Sequence, residues 1–432
     1  MASVERCLVA DPYDVRQYCL MDRRKNPAVI PVAVCHVARD IAATGGGEVV
    51  KQVSNHMIAA GHSVTIVTDT DNFTSASGVR IKRTPFGARL LRWQPKTPIG
   101  WVIRHSLQIA AFTVFSSVLA LGRRISGDVV FNHNCESLVG QVLVMHNTFL
   151  IDHKNRSLSI HSAILKMLHP VRFMRITKEV VLSRPSFNRI LVSVSRGAQR
   201  DVIDLAGDER RVRVIPNGVD TEKFAVDFST DIPPMVSEWA SRGIDEIVLF
   251  IGHEWKRKGL DELMDALAVL PASTGLVVVG GASQNLAHYQ QKATELGVAG
   301  RILFAGEWPD VRPFMAAATV FCLPSHSETM PLVALEALAA GLPIILTPAC
   351  PAADLIASGK NGFITTGSPL DIADAIAKAV LLGQSAETRA YAKRSVESQG
   401  WSNVATAYTE LAYEVRGSAK TLNSQPEADR QK

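Results

Sequence analysis

At 432 residues the chain is too long for a single hydrophobic core and requires two or three domains. Its 47% apolar and 20% charged residues exclude a disordered or fibrous chain. The net charge of +5 divides into +14 over residues 1–200 and −9 over residues 201–432, so a basic half precedes an acidic one.

Residues 1–28 show no periodicity and read as an N-terminal extension. No cationic stretch leads into an apolar one there, so no signal peptide is expected. A strand-length apolar run follows over 29–37, then a loop carrying Gly45, Gly46 and Gly47. A helix is predicted over 48–60, with Val49, Val50, Val53, Met57 and Ala60 on one face and Gly61 as its stop. With a strand over 63–68 this makes a βαβ unit. The apolar stretch 107–122, broken by Gln108, Thr113, Ser116 and Ser117, is shorter than a bilayer span and reads as a packed helix.

Further strands are expected over 128–131, 141–145, 190–194 and 212–215. The pattern restarts with 246–251, 275–279, 302–304, 320–323 and 343–347. Two successive parallel-sheet sets imply two doubly wound α/β domains, joined at the turn-rich Pro216-Asn217-Gly218-Val219-Asp220. Such sheets bind ligands beyond the carboxyl ends of their strands, so a cleft between two domains is expected. The tail is polar and reads as disordered.

Between residues 154 and 200 lie ten cations and one acid, Glu179. This stretch would attract anionic lipid headgroups or another acidic partner, or form a solvated face balanced by the acidic half. It holds no recognised nucleic-acid module and few interleaved aromatics, so nucleic acid is not an expected partner. The six cysteines (Cys7, Cys19, Cys35, Cys135, Cys322, Cys350) lack metal or redox spacing, which implies reduced, buried thiols and a cytoplasmic setting.

The most informative segment runs from Pro324 through Glu328, Met330, Pro331 and Glu336 to Gly341 and Pro343. It follows a strand and enters a helix with Pro331 near the first turn and Gly341 at the end. The free N–H groups of Leu332 and Val333 would form an anion site suited to a diphosphate. Side chains lean toward a helix N-terminus, so Glu336 can reach the paired hydroxyls of a ribose. Glu328, on the preceding loop, can reach hydroxyls of a sugar beyond the phosphates. Two capped-helix surface glutamates would give the same pattern.

This segment resembles the E-x7-E signature of the retaining family 4 glycosyltransferases, with Glu328 and Glu336 as its acids. Gly45-Gly46-Gly47-Glu48, Gly61-His62, Val194-Ser195, the segment 215–220 with Phe224, Phe304-x-Gly306 and Pro324-Ser325 match in the expected order, over about residues 32 to 405. The resemblance implies the GT-B fold and metal-independent transfer of a hexose-type sugar with retention. Its donor would be a nucleotide-diphosphate sugar, with no cofactor and no metal. It implies an acceptor-side Rossmann-like domain over 29–218 and a nucleotide-sugar-binding one over 219–398. A helix over 399–417 would pack back on the first domain, and a disordered tail would span 418–432. Gly46 and Gly47 would offer backbone N–H groups to the donor phosphate. His146 matches the family histidine beside the donor sugar, with His133 as its rival. Met330, Pro331, Leu332, Val333 and Glu336 would line the donor site, and Trp308 lies where the family places its base-contacting loop.

One departure stands out. The family's Gly-Arg-x4-Lys-Gly is here Gly252-His253-Glu254-Trp255-Lys256-Arg257-Lys258-Gly259, which keeps Lys258 and puts His253 in place of the arginine. Lys256 or Arg257 is expected to supply the missing charge. Asp69-Thr70-Asp71 is a D-x-D string without the setting of a metal site. The basic first half implies a lipid-linked or anionic glycan acceptor, and an anionic membrane surface at which the chain would sit peripherally. A silent sugar-nucleotide-binding subunit and a nucleotide-sugar epimerase share the architecture and remain as alternatives.

Overall fold

The computed structural model describes residues 31–41, 44–70, 78–85, 93–147, 169–225, 233–240, 242–281, 285–383 and 385–423. The expected extension 1–28, the basic segment 154–168 and Asp71 lie outside the described residues. The chain divides into two units, one ending at Asn217 and resuming at Trp401, the other spanning Gly218–Gly400.

The first unit holds strands β1 (Ala33–Val37), β2 (Ser63–Thr68), β3 (Arg80–Arg83), β4 (Val129–His133), β5 (Val142–Met145), β6 (Ile190–Ser193) and β7 (Val212–Val214). They form one parallel sheet in the order β3-β2-β1-β4-β5-β6-β7. Its central strands are buried along their whole length, because helices cover both faces of a parallel sheet. Strand β3, Arg-Ile-Lys-Arg, escaped the sequence reading because it is a charged edge strand with one apolar residue.

Helix α1 (Gly45–Ala59) starts three residues earlier than expected, so the triple glycine is its first turn. Thr44 is the N-cap, and its hydroxyl accepts from the Gly47 N–H at 3.0 Å. A Cβ on Gly47 would fall 2.6 Å from the Ile41 Cα, so only glycine lets the helix start pass this close to the strand exit.

Helix α2 (Pro98–Ile125) overturns the expectation of a short helix over 107–122. Thr97 caps it, Pro98 opens it, and its 28 residues extend about 42 Å. Gln108, Ile109, Phe112, Thr113, Ser116 and Ala120 form its buried face. Its other face is apolar as well, with Ile99, Ile103, Leu107, Val114, Val118, Leu121 and Ile125 exposed. By length and composition this helix could cross a membrane, although 39% of its most apolar window is buried in the protein.

Helices α3 (Pro170–Leu182) and α4 (Gln199–Ala206) complete the chain to Asn217. The helix Trp401–Asn423 returns to this unit and packs on α1, with Val404, Tyr408, Leu411 and Val415 buried. It runs to Asn423, past residue 418 where a tail was expected to begin. Residues 424–432 lie outside the described set.

The second unit holds β8 (Glu246–Ile251), β9 (Thr274–Val279), β10 (Ile302–Gly306), β11 (Val320–Leu323), β12 (Ile344–Leu346) and β13 (Gly362–Ile364). They form a parallel sheet in the order β10-β9-β8-β11-β12-β13. Its helices are α5 (Pro234–Ala240), α6 (Leu260–Val269), α7 (Leu286–Glu295), α8 (Arg312–Ala317), α9 (Leu332–Ala339), α10 (Pro369–Gly383) and α11 (Ala386–Arg394). In each unit the order of strands reverses once, between β1 and β4 and between β8 and β11. Loops leaving adjacent strands diverge at such a switch point and open a crevice.

Candidate functional site

In the second unit, the loops leaving β8 and β11 meet at this switch point. The link is backbone first: the His326 N–H donates to the Arg257 carbonyl at 2.9 Å. Gly259 has φ +78°, and a Cβ there would lie 2.1 Å from the Pro324 carbonyl oxygen. This close approach sets Lys258 beside the β11–α9 loop. The Lys258 ammonium donates to Glu328 Oε1 at 2.7 Å, and Arg257 Nη1 lies 3.0 Å from the same oxygen. The Ser325 hydroxyl donates to it as well at 3.3 Å, while the Glu328 N–H donates to the Ala349 carbonyl. Arg257 also donates to the Ser327 carbonyl and pairs with Glu254 at 2.7 Å. Burial pulls the Arg257 guanidinium down, yet the charges of Glu328 and Glu254 more than offset it and hold it above its usual value.

The Glu328 side chain is only 9% exposed, so this carboxylate with two cations is a nearly enclosed charge cluster. His253 turns outward, 70% exposed, with Nδ1 3.5 Å from Glu307, and Arg257 joins Lys258 instead.

Pro331 is the N-cap of α9 and makes no side-chain cap bond. A helix leaves its first amides without intrahelical partners, and those of Leu332 and Val333 follow directly on the Glu328 loop. Met330 and Pro331 are buried, and Leu332, Val333 and Glu336 are half-buried. Trp308 is 39% exposed, with its indole N–H donating to the Ala305 carbonyl at 2.9 Å and its ring edge-to-face on Phe314. Its hydrogen-bonding edge is therefore used within the fold, and the ring face is what it can offer a ligand.

In the first unit, His146 follows β5 and is 6% exposed. The Asn134 carboxamide oxygen accepts from the N–H groups of His146 and Asn147 at 3.0 and 3.2 Å. Asn134 (φ 51°) and Cys135 (φ 61°) are in the left-handed region, in the turn that places this acceptor. The imidazole lies on Gly46, where a Cβ would come 3.1 Å from His146 Cδ2. Gly46 therefore makes room for the ring. The Gly47 N–H, read from the sequence as a phosphate donor, donates to the Thr44 hydroxyl in this structure.

His133, the rival candidate, stands behind His146 rather than in its place. His133 Nδ1 lies 2.8 Å from His146 Nε2, and His133 Nε2 lies 2.9 Å from His36 Nδ1. Burial lowers His146 to about 4 and His36 to about 3, and His133 falls well below the usual histidine range. Sequence reasoning missed His36 and Asn134. Their signal was a polar residue inside or just after an otherwise apolar strand.

Among the described residues, no group of three or more His, Cys, Asp or Glu is placed to hold a metal ion. Asp69, of the D-x-D string, accepts from the Thr84 hydroxyl, and burial holds its carboxyl above the usual value.

Residues 43–223 match the family described as Glycosyltransferase Family 4, and residues 233–396 match Glycosyl transferases group 1. A D-inositol 3-phosphate glycosyltransferase of Xylanimonas cellulosilytica is 31% identical over 51% of this chain and 56% of its own length. The chain spans about half the length of the curated relatives it matches. The crystal structure of WaaG, a glycosyltransferase involved in lipopolysaccharide biosynthesis, is 21% identical with a TM-score of 0.62, over 91% of this chain and all of that one. HepE of Anabaena, in complex with UDP and glucose, is 18% identical with a TM-score of 0.60, over 91% of this chain and 100% of that one. These solved structures share the two-domain GT-B fold.

Proposed function

Because the chain belongs to the family 4, group 1 glycosyltransferases, we propose that it transfers a hexose-type sugar from a nucleotide-diphosphate donor with retention of configuration. The observation that carries this reading is the convergence of Lys258, Arg257 and Ser325 on Glu328, directly before the N-terminus of α9. Glu328 is already neutralised by two cations, a place where a dianionic diphosphate competes for the cations and frees the carboxylate for sugar hydroxyls.

In this scheme Lys258, Arg257 and the amides of Leu332 and Val333 stabilise charge as the bond from the anomeric carbon to the diphosphate oxygen breaks. The acceptor oxygen bonds that carbon from the same face, and its proton leaves with the diphosphate. Glu328 and His146 orient the sugar, Glu336 holds the ribose, and Trp308 offers its ring to the base. No metal enters the scheme.

For the acceptor we propose a lipid-linked or anionic glycan of the lipopolysaccharide, polysaccharide or glycolipid type, used on the cytoplasmic side of a membrane. Helix α2 supports this. Its exposed residues Ile99, Ile103, Leu107, Ala110, Val114, Val118, Leu121 and Ile125 advance in steps of four, four and three, which keeps them within one stripe about 100° wide along a helix of 3.6 residues per turn. Arg104 and the exposed Arg124 flank that line, and Arg172 and Phe173 lie on neighbouring α3. An apolar line with cations beside it suits an anionic bilayer surface lying parallel to the helix.

A thermal-shift panel of UDP, GDP, ADP and their sugar conjugates tests the donor site, with Glu336→Ala alongside. A ligand of the native state raises the melting temperature. The proposal expects one nucleotide family to stabilise the protein and the variant to lose that gain. A flat response to every nucleotide contradicts it. For the surface, co-sedimentation should require anionic vesicles at low salt and fall in Val114→Asp/Val118→Asp; equal binding to zwitterionic vesicles contradicts the charge argument.

A further inference from the structure

Helix α2 reaches past the body of the first unit. Only residues 126–128 join it to β4, so its C-terminal end lies at the amino end of the sheet and its N-terminal end points beyond the carboxyl ends of the strands. Its 28 residues span about 42 Å, against about 17 Å for the five residues of β4. Burial records the excess. Gln108 is the first buried residue of the helix, so residues 98–107, about 15 Å of it, overhang the edge where β1, β4 and β5 deliver Arg39, Glu136 and His146. The Arg104 guanidinium braces this overhang by donating to the Trp93 carbonyl at 2.8 Å.

The overhang carries a tryptophan on the side away from the apolar stripe. At about 100° per residue, Trp101 stands about 150° from the middle of that stripe. It falls within the arc of Gln108, Phe112 and Ser116, which face the protein. It is nonetheless 51% exposed, because the helix has already passed the end of the sheet. His105, one turn further along the same face, stacks on the indole with ring centroids 4.8 Å apart and planes 10° from parallel. The Arg104 guanidinium carbon is 5.9 Å from the indole centroid, at the outer limit of a cation–π contact. The ring is therefore held on one side and fixed in direction, while half of its surface meets solvent.

Behind it lie groups suited to hydroxyls. Arg39 Nε is 3.5 Å from Glu136 Oε1, and Lys178 Nζ is 3.8 Å from Glu136 Oε2. Neither contact is a hydrogen bond, and Arg39 Nε and Glu136 Oε2 have no hydrogen-bond partner among the described residues. His105 connects this pair to the indole. Burial lowers its imidazole, and the charges of Arg39, Arg175 and Arg104 lower it further against the opposing charge of Glu136.

We propose that Trp101 is the stacking platform of a sugar-binding subsite, taking one side of a pyranose ring of the acceptor glycan, with Arg39 and Glu136 receiving hydroxyls of the same glycan. That the glycan is an acceptor rests on the transferase reading above; that a pyranose lies on Trp101 does not. The C–H groups on one side of a pyranose are weakly positive and nearly coplanar, which matches the electron-rich face of an indole. A planar guanidinium and a planar carboxylate with hydrogen-bonding capacity to spare suit neighbouring hydroxyls. A bilayer surface is the other common use of an exposed tryptophan. The angular position of Trp101, turned from the apolar stripe, argues against it.

The test uses 19F spectra of the full chain labelled with 5-fluorotryptophan, with the Trp101 resonance assigned by Trp101→Phe. The probes are the methyl glycosides of glucose, galactose and mannose, with glycerol as a control that has hydroxyls but no ring. At least one glycoside should move the Trp101 resonance saturably, and glycerol should not. In saturation-transfer spectra of that glycoside, Trp101→Ala should weaken binding about tenfold, whereas Trp101→Phe, which keeps an aromatic face, should retain most of it. Arg39→Gln should weaken it about threefold. Melting curves of the variants separate unfolding from loss of the platform. A Trp101 resonance that no glycoside moves overturns the proposal, as does a Trp101→Ala protein that binds glycoside like the wild type. Broadening of the Trp101 resonance by spin-labelled lipid in anionic vesicles also overturns it, by making the residue a membrane anchor. Titration of the same sample with UDP, GDP and ADP keeps the two readings apart. Nucleotide binding with an unmoved Trp101 refutes this inference alone, and a glycoside effect without nucleotide binding refutes the transferase reading alone.

Discussion

Gly259→Ala gives the most quantitative test of how the second unit builds its charge cluster. Two effects add at this position. The first is backbone strain, because φ is +78° and a left-handed conformation costs an L-residue about 1–2 kcal/mol. The second is contact: the new methyl would lie 2.1 Å from the Pro324 carbonyl oxygen and 2.8 Å from its carbon. That neighbour is backbone and cannot rotate away, so the loop must move by about 1 Å, at an overpacking cost of about 1–3 kcal/mol. Gly297 isolates the first effect, since it has φ +70° and a methyl added there would meet nothing within 4 Å. Gly297→Ala should therefore cost about 1 kcal/mol and Gly259→Ala about 3 kcal/mol. For a domain of this size each kcal/mol is worth roughly 2–4 °C in melting temperature. Differential scanning calorimetry should thus show a clearly larger fall for Gly259→Ala. Equal falls for the two variants would refute the claim that the β8 loop is pressed against Pro324.

Glu328→Gln removes the charge that Lys258 and Arg257 share, and should cost about 1–3 kcal/mol of stability because the two cations lose their counter-ion. By isothermal titration its bare nucleoside diphosphate affinity should hold or rise, while the extra affinity conferred by the sugar falls. The buried thiols of Cys35, Cys135, Cys322 and Cys350 should resist alkylation at pH 8 until the protein unfolds, since burial raises each thiol, Cys35 and Cys350 to about 12. Mass mapping of labelled peptides checks this. Burial lowers His146 to about 4 and His36 to about 3, so the unfolded chain binds more protons below its own histidine value of about 6.5. Their contribution is complete above that pH and is lost as pH falls toward 4. Denaturant titrations should show stability declining across this window, and His133→Leu should decline less steeply.

The doubly wound architecture was legible because buried parallel strands are short apolar runs between helical stretches, and nearly every such run became a strand. What escaped had a physical reason. β3 is a charged edge, and β13 has three residues. Helix α2 was cut short because Ile99 and Ile125 lie beyond polar interruptions, and spacing alone could not show that its second apolar face stays exposed. The Glu328–Glu336 spacing was legible as a loop entering a helix, and the structure puts Glu328 on the loop after β11 and Glu336 in α9. Which cation would replace the expected arginine could not be read, because Lys256, Arg257 and Lys258 are consecutive and only the fold decides which of them turn inward. His36 was invisible for the opposite reason: a lone histidine in an apolar strand carries no spacing that links it to His133 and His146.

Acceptor-dependent release of nucleoside diphosphate distinguishes sugar transfer from mere nucleotide binding. The full chain would be incubated with radiolabelled sugar nucleotides and bacterial membrane-lipid extracts, beside Glu328→Gln and Lys258→Met. One sugar nucleotide should release its diphosphate only when extract is present, label should move into the lipid phase, and both variants should lose this transfer. Nucleotide binding with no transfer to any extract, or conversion of the donor to another sugar nucleotide without an acceptor, would contradict it.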